Sequence, residues 1–80
     1  MDTIKEQVLD VVAETLAMEK DALTLDKTFS EMNVDSLDMV ELTMGIEEAF
    51  DIEISDEDAM EITTIQSAID VVKKTANSDS

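Results

Sequence analysis

The stretch that decides the fold is residues 35–51, DSLDMVELTMGIEEAFD. It predicts a helix from about Ser36 to Phe50, with Asp35 or Ser36 as its N-terminal cap. At about 100° per residue, this helix carries two apolar stripes on nearly opposite sides. The stripe that we expect to face the core contains Met39, Leu42, Ile46, Ala49 and Phe50. The second stripe contains Leu37, Val40 and Met44, and it is flanked by Glu41, Glu47, Glu48 and Asp51.

The second stripe needs an explanation, because a helix in a small bundle buries only one face. One explanation is structural: the next helix or the preceding loop covers the stripe in part. The other is functional, since apolar residues rimmed by charge of one sign suit the docking of a basic partner. Methionine also adapts easily to different partners. Both explanations hold together if the stripe lies at the rim of a groove.

Three more helices are predicted around this one. The first runs from Thr3 to about Leu16, and the short third runs from about Asp56 to Glu61 with Ser55 as its cap. The fourth begins near Thr64, where Thr63 and Gln66 have the spacing of a capping box. The residues expected to form its buried stripe are Ile65, Ala68, Ile69, Val72 and Ala76.

Residues 18–34 show no sustained period and predict a long ordered loop. The side chains expected to hold this loop to the core are Leu23, Leu25, Phe29 and Met32. No segment alternates in the manner of a strand. We therefore predict an all-α fold: a small four-helix bundle of three main helices and one short third helix, with a long loop between helices 1 and 2. It forms one domain over residues 1–76, followed by a disordered tail at 77–80.

The composition limits the kinds of partner that the protein can bind. Twenty-one acids face five lysines, which gives a net charge of −16 on 80 residues. Nucleic acid and anionic membrane surfaces are excluded as partners, whereas basic proteins and weakly bound divalent cations are expected. Solubility alone is the other explanation of this acidity.

Catalysis and export are not expected either. The chain has no His, Cys, Tyr, Trp or Arg, so acid–base chemistry would fall to carboxylates, lysines and hydroxyls. No apolar run is long enough for membrane insertion, and the N-terminus lacks a signal pattern, so we expect a cytoplasmic protein. A specific calcium site is not expected, because EF-hand loops starting at Asp26 or Asp51 would place Glu31 or Asp56 at the required Gly.

Ser36 has two interpretations. It is an ordinary helix cap, or it is the site of a phosphate ester, which the N–H groups and dipole of a helix N-terminus favour. Asp35 and Asp38 oppose such an anion electrostatically. Ser36 is not a nucleophile for acyl transfer, because no His or other convincing base accompanies it.

Three segments together resemble the acyl carrier proteins of type II fatty-acid synthesis. They are residues 35–42, DSLDMVEL; residues 47–51, EEAFD, followed by Glu53-Ile54; and residues 62–70, ITTIQSAID. The resemblance covers nearly the whole chain.

The resemblance implies that Ser36 carries 4′-phosphopantetheine, transferred from coenzyme A by a phosphopantetheinyl transferase. The arm ends in a thiol that holds acyl groups as thioesters, so the chain needs no Cys of its own. It also implies a monomer whose second helix docks on basic patches of fatty-acid synthesis enzymes. The expected partner-binding residues are Asp35, Leu37, Asp38, Val40, Glu41, Met44, Glu47, Glu48 and Asp56. Candidates to line an acyl cavity are Leu42, Ile46, Ile54, Ile62 and Val72.

The chain departs from the family pattern at three points. Asn33 stands where Gly is usual two residues before Asp35, and we expect Asn to tolerate the left-handed backbone of that turn. The segment from Phe29 to Ser36 is one residue shorter than usual, and Ser55 replaces a frequent Pro. These departures keep open a specialised carrier for a polyketide, lipid or aminoacyl cargo.

Overall fold

The computed structural model describes residues 3–77, and this part of the chain contains four α-helices. They are α1 (Thr3–Leu16), α2 (Ser36–Phe50), α3 (Asp56–Glu61) and α4 (Ile65–Asn77). The predicted all-α bundle with a short third helix is confirmed. Over residues 3–77 the β-structure is limited to one isolated antiparallel bridge between Thr28 and Thr64. The predicted tail at 77–80 lies outside the described residues except for Asn77, which ends α4.

The core lies where α1 packs against α2 and α4. Its largest fully buried side chains are Leu42, Ile46, Ile65, Ile69, Val8, Val12 and Val72. Helices α1 and α2 approach closely at Gly45, where a Cβ atom would lie 3.2 Å from Val11 Cγ1. A Cβ atom at this position would therefore require Val11 to shift by a few tenths of an ångström.

The predicted stripes need three corrections. Ala49 is exposed rather than buried, because it lies in an open groove between α1 and α2 that Gly45 also lines. Ala76 is exposed near the end of α4. Val71 is buried although it lies off the predicted stripe. Since α4 packs against α3 as well as α1, its buried surface is wider than a single stripe.

The caps explain where the later helices begin. Ser55 caps α3 as predicted, since its Oγ accepts a hydrogen bond from Asp58 N at 3.2 Å. The capping box of α4 was placed one residue too early. It is Thr64 and Ser67 that bond reciprocally: Ser67 N donates to Thr64 Oγ1 at 3.0 Å, and Thr64 N donates to Ser67 Oγ at 2.8 Å. This pairing fixes the start of α4 at Ile65.

Lys20 and Lys74 form ion pairs that join elements of the bundle. Lys20, in a short 3-10 turn at Lys20–Ala22, contacts Asp10 at 2.9 Å and Glu6 at 3.0 Å, both on α1. Lys74 on α4 contacts Asp58 on α3 at 3.0 Å. The hydrogen bonds that the lysines donate to these carboxylates raise the pKa of both lysines above the ordinary value, with Asp10 and Asp58 as the main causes. Both lysines are exposed, so these contacts orient the loop and α3 more than they stabilise the fold.

The long loop between α1 and α2 is held to the link between α3 and α4. Phe29 is buried, and its N–H donates to Thr63 O at 2.9 Å. Gln66 N donates to Leu25 O, also at 2.9 Å. Leu23, Leu25 and Met32 pack partly buried against the core. The expectation that these four apolar residues hold the loop is confirmed, and it places the start of α2 beside the α3–α4 link.

Candidate functional site

Ser36 is the first residue of α2, and its hydroxyl is not the cap. Asp35 takes that role, because its Oδ1 accepts a hydrogen bond from Asp38 N at 2.9 Å. Ser36 is exposed, and its Oγ makes no hydrogen bond to the described residues. The capping interpretation of Ser36 is therefore wrong. Its hydroxyl can take up a substituent without any loss of helix capping.

The cap also limits how the helix N-terminus could hold a phosphate at this position. Asp38 N already donates to the Asp35 carboxylate, so that N–H is not available to an ester on Ser36. The carboxylates of Asp35 and Asp38 lie in the same turn and would oppose such an anion electrostatically.

The turn that leads into Ser36 depends on Asn33. Its φ of 60° lies in the left-handed region, where Gly and Asn are the preferred residues. Its N–H donates to Ser30 O at 3.1 Å, and Val34 N donates to Phe29 O at 3.1 Å. The expectation that Asn33 preserves this turn is confirmed. Because Phe29 is buried, the turn has a fixed anchor, and Ser36 is presented from a defined position.

A depression of about 360 Å³ lies directly beside Ser36. Its apolar lining comes from the loop, from α2 and from the α3–α4 link, and includes Phe29, Val34, Met39 and Ile62. A group attached to Ser36 Oγ would therefore begin next to apolar surface. The five residues expected to line an acyl cavity are all buried in the core cluster. They are Leu42, Ile46, Ile54, Ile62 and Val72.

The second apolar stripe of α2 is exposed. The exposed fractions are 67% for Leu37, 54% for Val40 and 53% for Met44. Partial cover comes from α3: a groove of about 490 Å³ between α2 and α3 is lined by Val40 and Met44 on one side and by Ala59 and Met60 on the other. Val40 and Met44 thus lie at the rim of a groove, so the expected partial cover of the stripe is confirmed. The docking explanation stays a prediction.

Sequence reasoning missed Met60. It is 79% exposed, more than any residue of the α2 stripe, and it extends that apolar surface onto α3. A six-residue helix is too short for a periodic signal. The sequence offered one other signal for Met60. It is a large apolar residue, between Ala59 and Glu61, in a mostly acidic segment.

The predicted acidic partner residues fall into three positions. Asp35 and Asp38 lie at the start of α2, next to Ser36. Glu47 and Asp56 line the groove between α2 and α3. Glu41 and Glu48 are exposed on the other side of α2, where they line the groove towards α1. Acidic groups therefore border the apolar stripe along both of its long edges.

Glu47 also supports the fold. Its Oε2 accepts a hydrogen bond from Ile54 N at 2.7 Å, which ties the segment before α3 to α2. Unlike Glu41 and Glu48 it is half-buried. A substitution at Glu47 would consequently change the position of α3 as well as the surface charge.

Across residues 3–77, no group of three or more acidic side chains is arranged to hold a metal ion. No helix in this range is both long and apolar enough to cross a membrane.

Comparison with protein families agrees with the geometry around Ser36. The model for the family described as "PP-binding: Phosphopantetheine attachment site" matches residues 6–72, which is most of the chain. Domains of this family are sites of covalent 4′-phosphopantetheine attachment and act as carriers. Such carriers interact with a phosphopantetheinyl transferase and with the enzymes that process their cargo. With a match over 67 residues of 80, this chain belongs to the phosphopantetheine attachment site family.

Proposed function

We propose that Ser36 is the residue that carries the arm, and that the protein presents acyl intermediates to enzymes of fatty-acid synthesis. The observation that carries the proposal is the exposed Ser36 hydroxyl, which Asp35 releases from capping. In the attachment step, Ser36 Oγ forms a phosphoester bond with the phosphate of 4′-phosphopantetheine, and the phosphoanhydride bond of coenzyme A breaks. The hydroxyl loses its proton, and adenosine 3′,5′-bisphosphate leaves.

The arm supplies a thiol that holds the acyl group as a thioester. The chain contains no Cys, so this thiol would be its only one, and a thioester would form at a single place. We assign no catalytic step to the side chains of this protein. Its own residues hold the attachment point and present a docking face, which suits a carrier whose chemistry is performed by other proteins.

The proposed docking face is the α2 stripe with its acidic borders. Leu37, Val40 and Met44 supply apolar contact, while Glu41, Glu48, Asp35, Asp38 and Asp56 supply charge around it. A basic partner would be steered to this face by the net charge of −16 and fixed there by apolar contact. Because the face begins one residue after Ser36, a docked enzyme would also meet the arm. A monomeric state and a cytoplasmic location stay predictions.

Intact mass spectrometry tests the attachment. The apo protein is incubated with coenzyme A and a phosphopantetheinyl transferase, and we expect the mass to rise by one arm. The Ser36→Ala variant should show no gain. Ser30→Ala, which removes another exposed hydroxyl near the same loop, should load like the wild type. A wild-type chain that gains no mass with several transferases, or a gain that persists in Ser36→Ala, would contradict the proposal.

A carrier for polyketide, lipid or aminoacyl cargo is the second candidate. It is favoured by the departures around the site, namely the shorter loop with Asn33 at φ 60° and Ser55 before α3. Loading the holo protein separately with fatty-acid, polyketide and aminoacyl loading enzymes discriminates between the two. Preferred charging by the fatty-acid enzymes would support a carrier for fatty-acid synthesis. Preferred charging by the polyketide or aminoacyl enzymes would support the second candidate instead.

A further inference from the structure

The methionines of this chain are unevenly placed. There are six, and Met1 lies outside the described residues. Met18, Met32 and Met39 are partly buried, and the last two pack against the core. Met44 and Met60 are exposed, and both line the groove between α2 and α3. Two thioethers therefore meet solvent at one surface.

That surface is the main apolar area outside the core. The exposed large hydrophobic side chains of the described residues are Leu37, Val40, Met44 and Met60. Val40, Met44 and Met60 line one groove, and Leu37 lies on the same face of α2 one turn before Val40. Half of this four-residue patch is methionine.

Methionine is also the only readily oxidised side chain in the sequence, which contains no Cys, His, Tyr or Trp. Susceptibility to oxidation rises with exposure, and a sulfoxide replaces a flexible apolar side chain by a polar one. Neither Met44 nor Met60 belongs to the core or to the residues packed on it. Their oxidation would change the surface and leave the fold in place.

We propose that Met44 and Met60 form an oxidation site, at which a peroxide converts the apolar patch between α2 and α3 into a polar one and weakens docking. In the reaction, a sulfur lone pair forms a bond to one peroxide oxygen and the O–O bond breaks. The other oxygen leaves as hydroxide and takes up the proton that the sulfur-bound oxygen releases, which gives water and the sulfoxide. Sulfur loses two electrons, and the peroxide gains them.

The first experiment treats the apo, full-length protein with hydrogen peroxide and follows each methionine by peptide mass spectrometry. Met60 and Met44 should become sulfoxides before Met18, Met32 and Met39, while Met1 is scored on its own peptide. The far-ultraviolet circular dichroism should stay unchanged. Earlier oxidation of any partly buried methionine, or loss of helical signal as the sulfoxides form, would overturn the proposal.

The second experiment measures the surface itself. Oxidised wild-type protein should elute earlier than untreated protein from a hydrophobic-interaction column, because the patch has become polar. The Met44→Leu/Met60→Leu variant keeps an apolar patch that peroxide does not alter, so its retention should not move. Met18→Leu/Met32→Leu is the matched control and should shift like the wild type. Unchanged retention of the oxidised wild type would refute the altered patch.

The effect on docking rests on the proposed function. We expect oxidation to slow arm transfer to Ser36 by about threefold to tenfold in the wild type, as apolar contact is lost, and not in Met44→Leu/Met60→Leu. A normal rate in fully oxidised wild type would overturn the docking effect. If untreated protein accepts no arm, the proposed function fails, whereas the order of oxidation and the column retention still decide whether the oxidation site exists.

Discussion

The two faces of α2 carry similar apolar residues, but one face is buried and the other is exposed. Leu42 and Ile46 are completely buried against the bundle, whereas Leu37, Val40 and Met44 are more than half exposed. The difference does not lie in hydrophobicity, since a Leu is found on each face. It lies in the neighbours: α1 packs along one face, and the six-residue α3 reaches the other only across an open groove.

This contrast separates the face of α2 that stabilises the fold from the face that we propose for docking. Burial of the inner face supplies the apolar free energy that a domain of 80 residues needs. The outer face contributes no such free energy of burial, and an exposed apolar stripe between acids lowers solubility. The inner face should therefore be sensitive to loss of volume, and the outer face to change of charge.

The largest expected effect is on the inner face. Leu42→Ala removes a fully buried side chain and should lower the free energy of unfolding by about 2–5 kcal/mol. Met44→Ala, on the same helix, should change it by less than about 0.5 kcal/mol. Urea unfolding followed by circular dichroism measures both. Equal losses in the two variants would show that the outer face is buried in solution. The distinction between a buried and an exposed face of α2 would then be wrong.

The next effect is on the outer face. Glu41→Lys places a like charge against a basic partner at the border of the stripe, and should slow arm transfer about tenfold while leaving the melting temperature nearly unchanged. Asp21→Lys makes the same change of charge on the exposed 3-10 turn and serves as the control. Should both variants slow transfer equally, total charge rather than the α2 face would govern docking.

The bounds of α2 and α3 were predictable, because strong local signals fix them. Asp35 and Ser55 are favoured caps, and the alternation of core and surface residues along α2 spans four turns. The left-handed turn at Asn33 was also predictable, since few residues other than Gly and Asn adopt it. These features depend on residues close to one another in sequence.

Features that depend on side-chain geometry, or on neighbours distant in sequence, were missed or left open. The choice between Asp35 and Ser36 as cap required side-chain geometry. The capping box at Thr64 and Ser67 competed with an equally good pattern one residue earlier. The burial of Val71 and the exposure of Met60 follow from where α3 lies, which no local pattern in a six-residue helix reveals.

Divalent cations should stabilise the folded protein, because they reduce repulsion among the acidic groups on its surface. Self-repulsion among the acids destabilises the compact state at neutral pH, so millimolar Mg²⁺ should raise the melting temperature by several degrees through weak, distributed binding. Sodium chloride at matched ionic strength should give a smaller rise. The Leu42→Ala variant should gain as much as the wild type, because its surface charge is unaltered. No shift with Mg²⁺ would count against this account of the acidity.

The smallest effect is expected in the loop that leads to Ser36. Thr28 N and Thr28 Oγ1 each donate to Glu31 Oε1 at 3.0 Å, and these hydrogen bonds, the backbone one first, lower the pKa of Glu31 below its ordinary 4.5. A carboxylate with a depressed pKa in the folded state stabilises the protein above its unfolded pKa, and that contribution is lost as the pH falls through the folded pKa.

Glu31→Gln should therefore lower the melting temperature slightly at pH 7, by much less than Leu42→Ala. The difference from the wild type should shrink below about pH 4.5 and disappear once Glu31 is protonated in the folded state. Glu19→Gln removes the same charge from a residue whose side chain makes no capping hydrogen bond, and it serves as the control for the loss of one charge at pH 7. A Glu31→Gln effect that stays constant down to low pH would mean that the loss comes from replacing the side chain and not from removing the carboxylate charge. The charge of Glu31 would then be irrelevant to how the loop presents the outer face of α2.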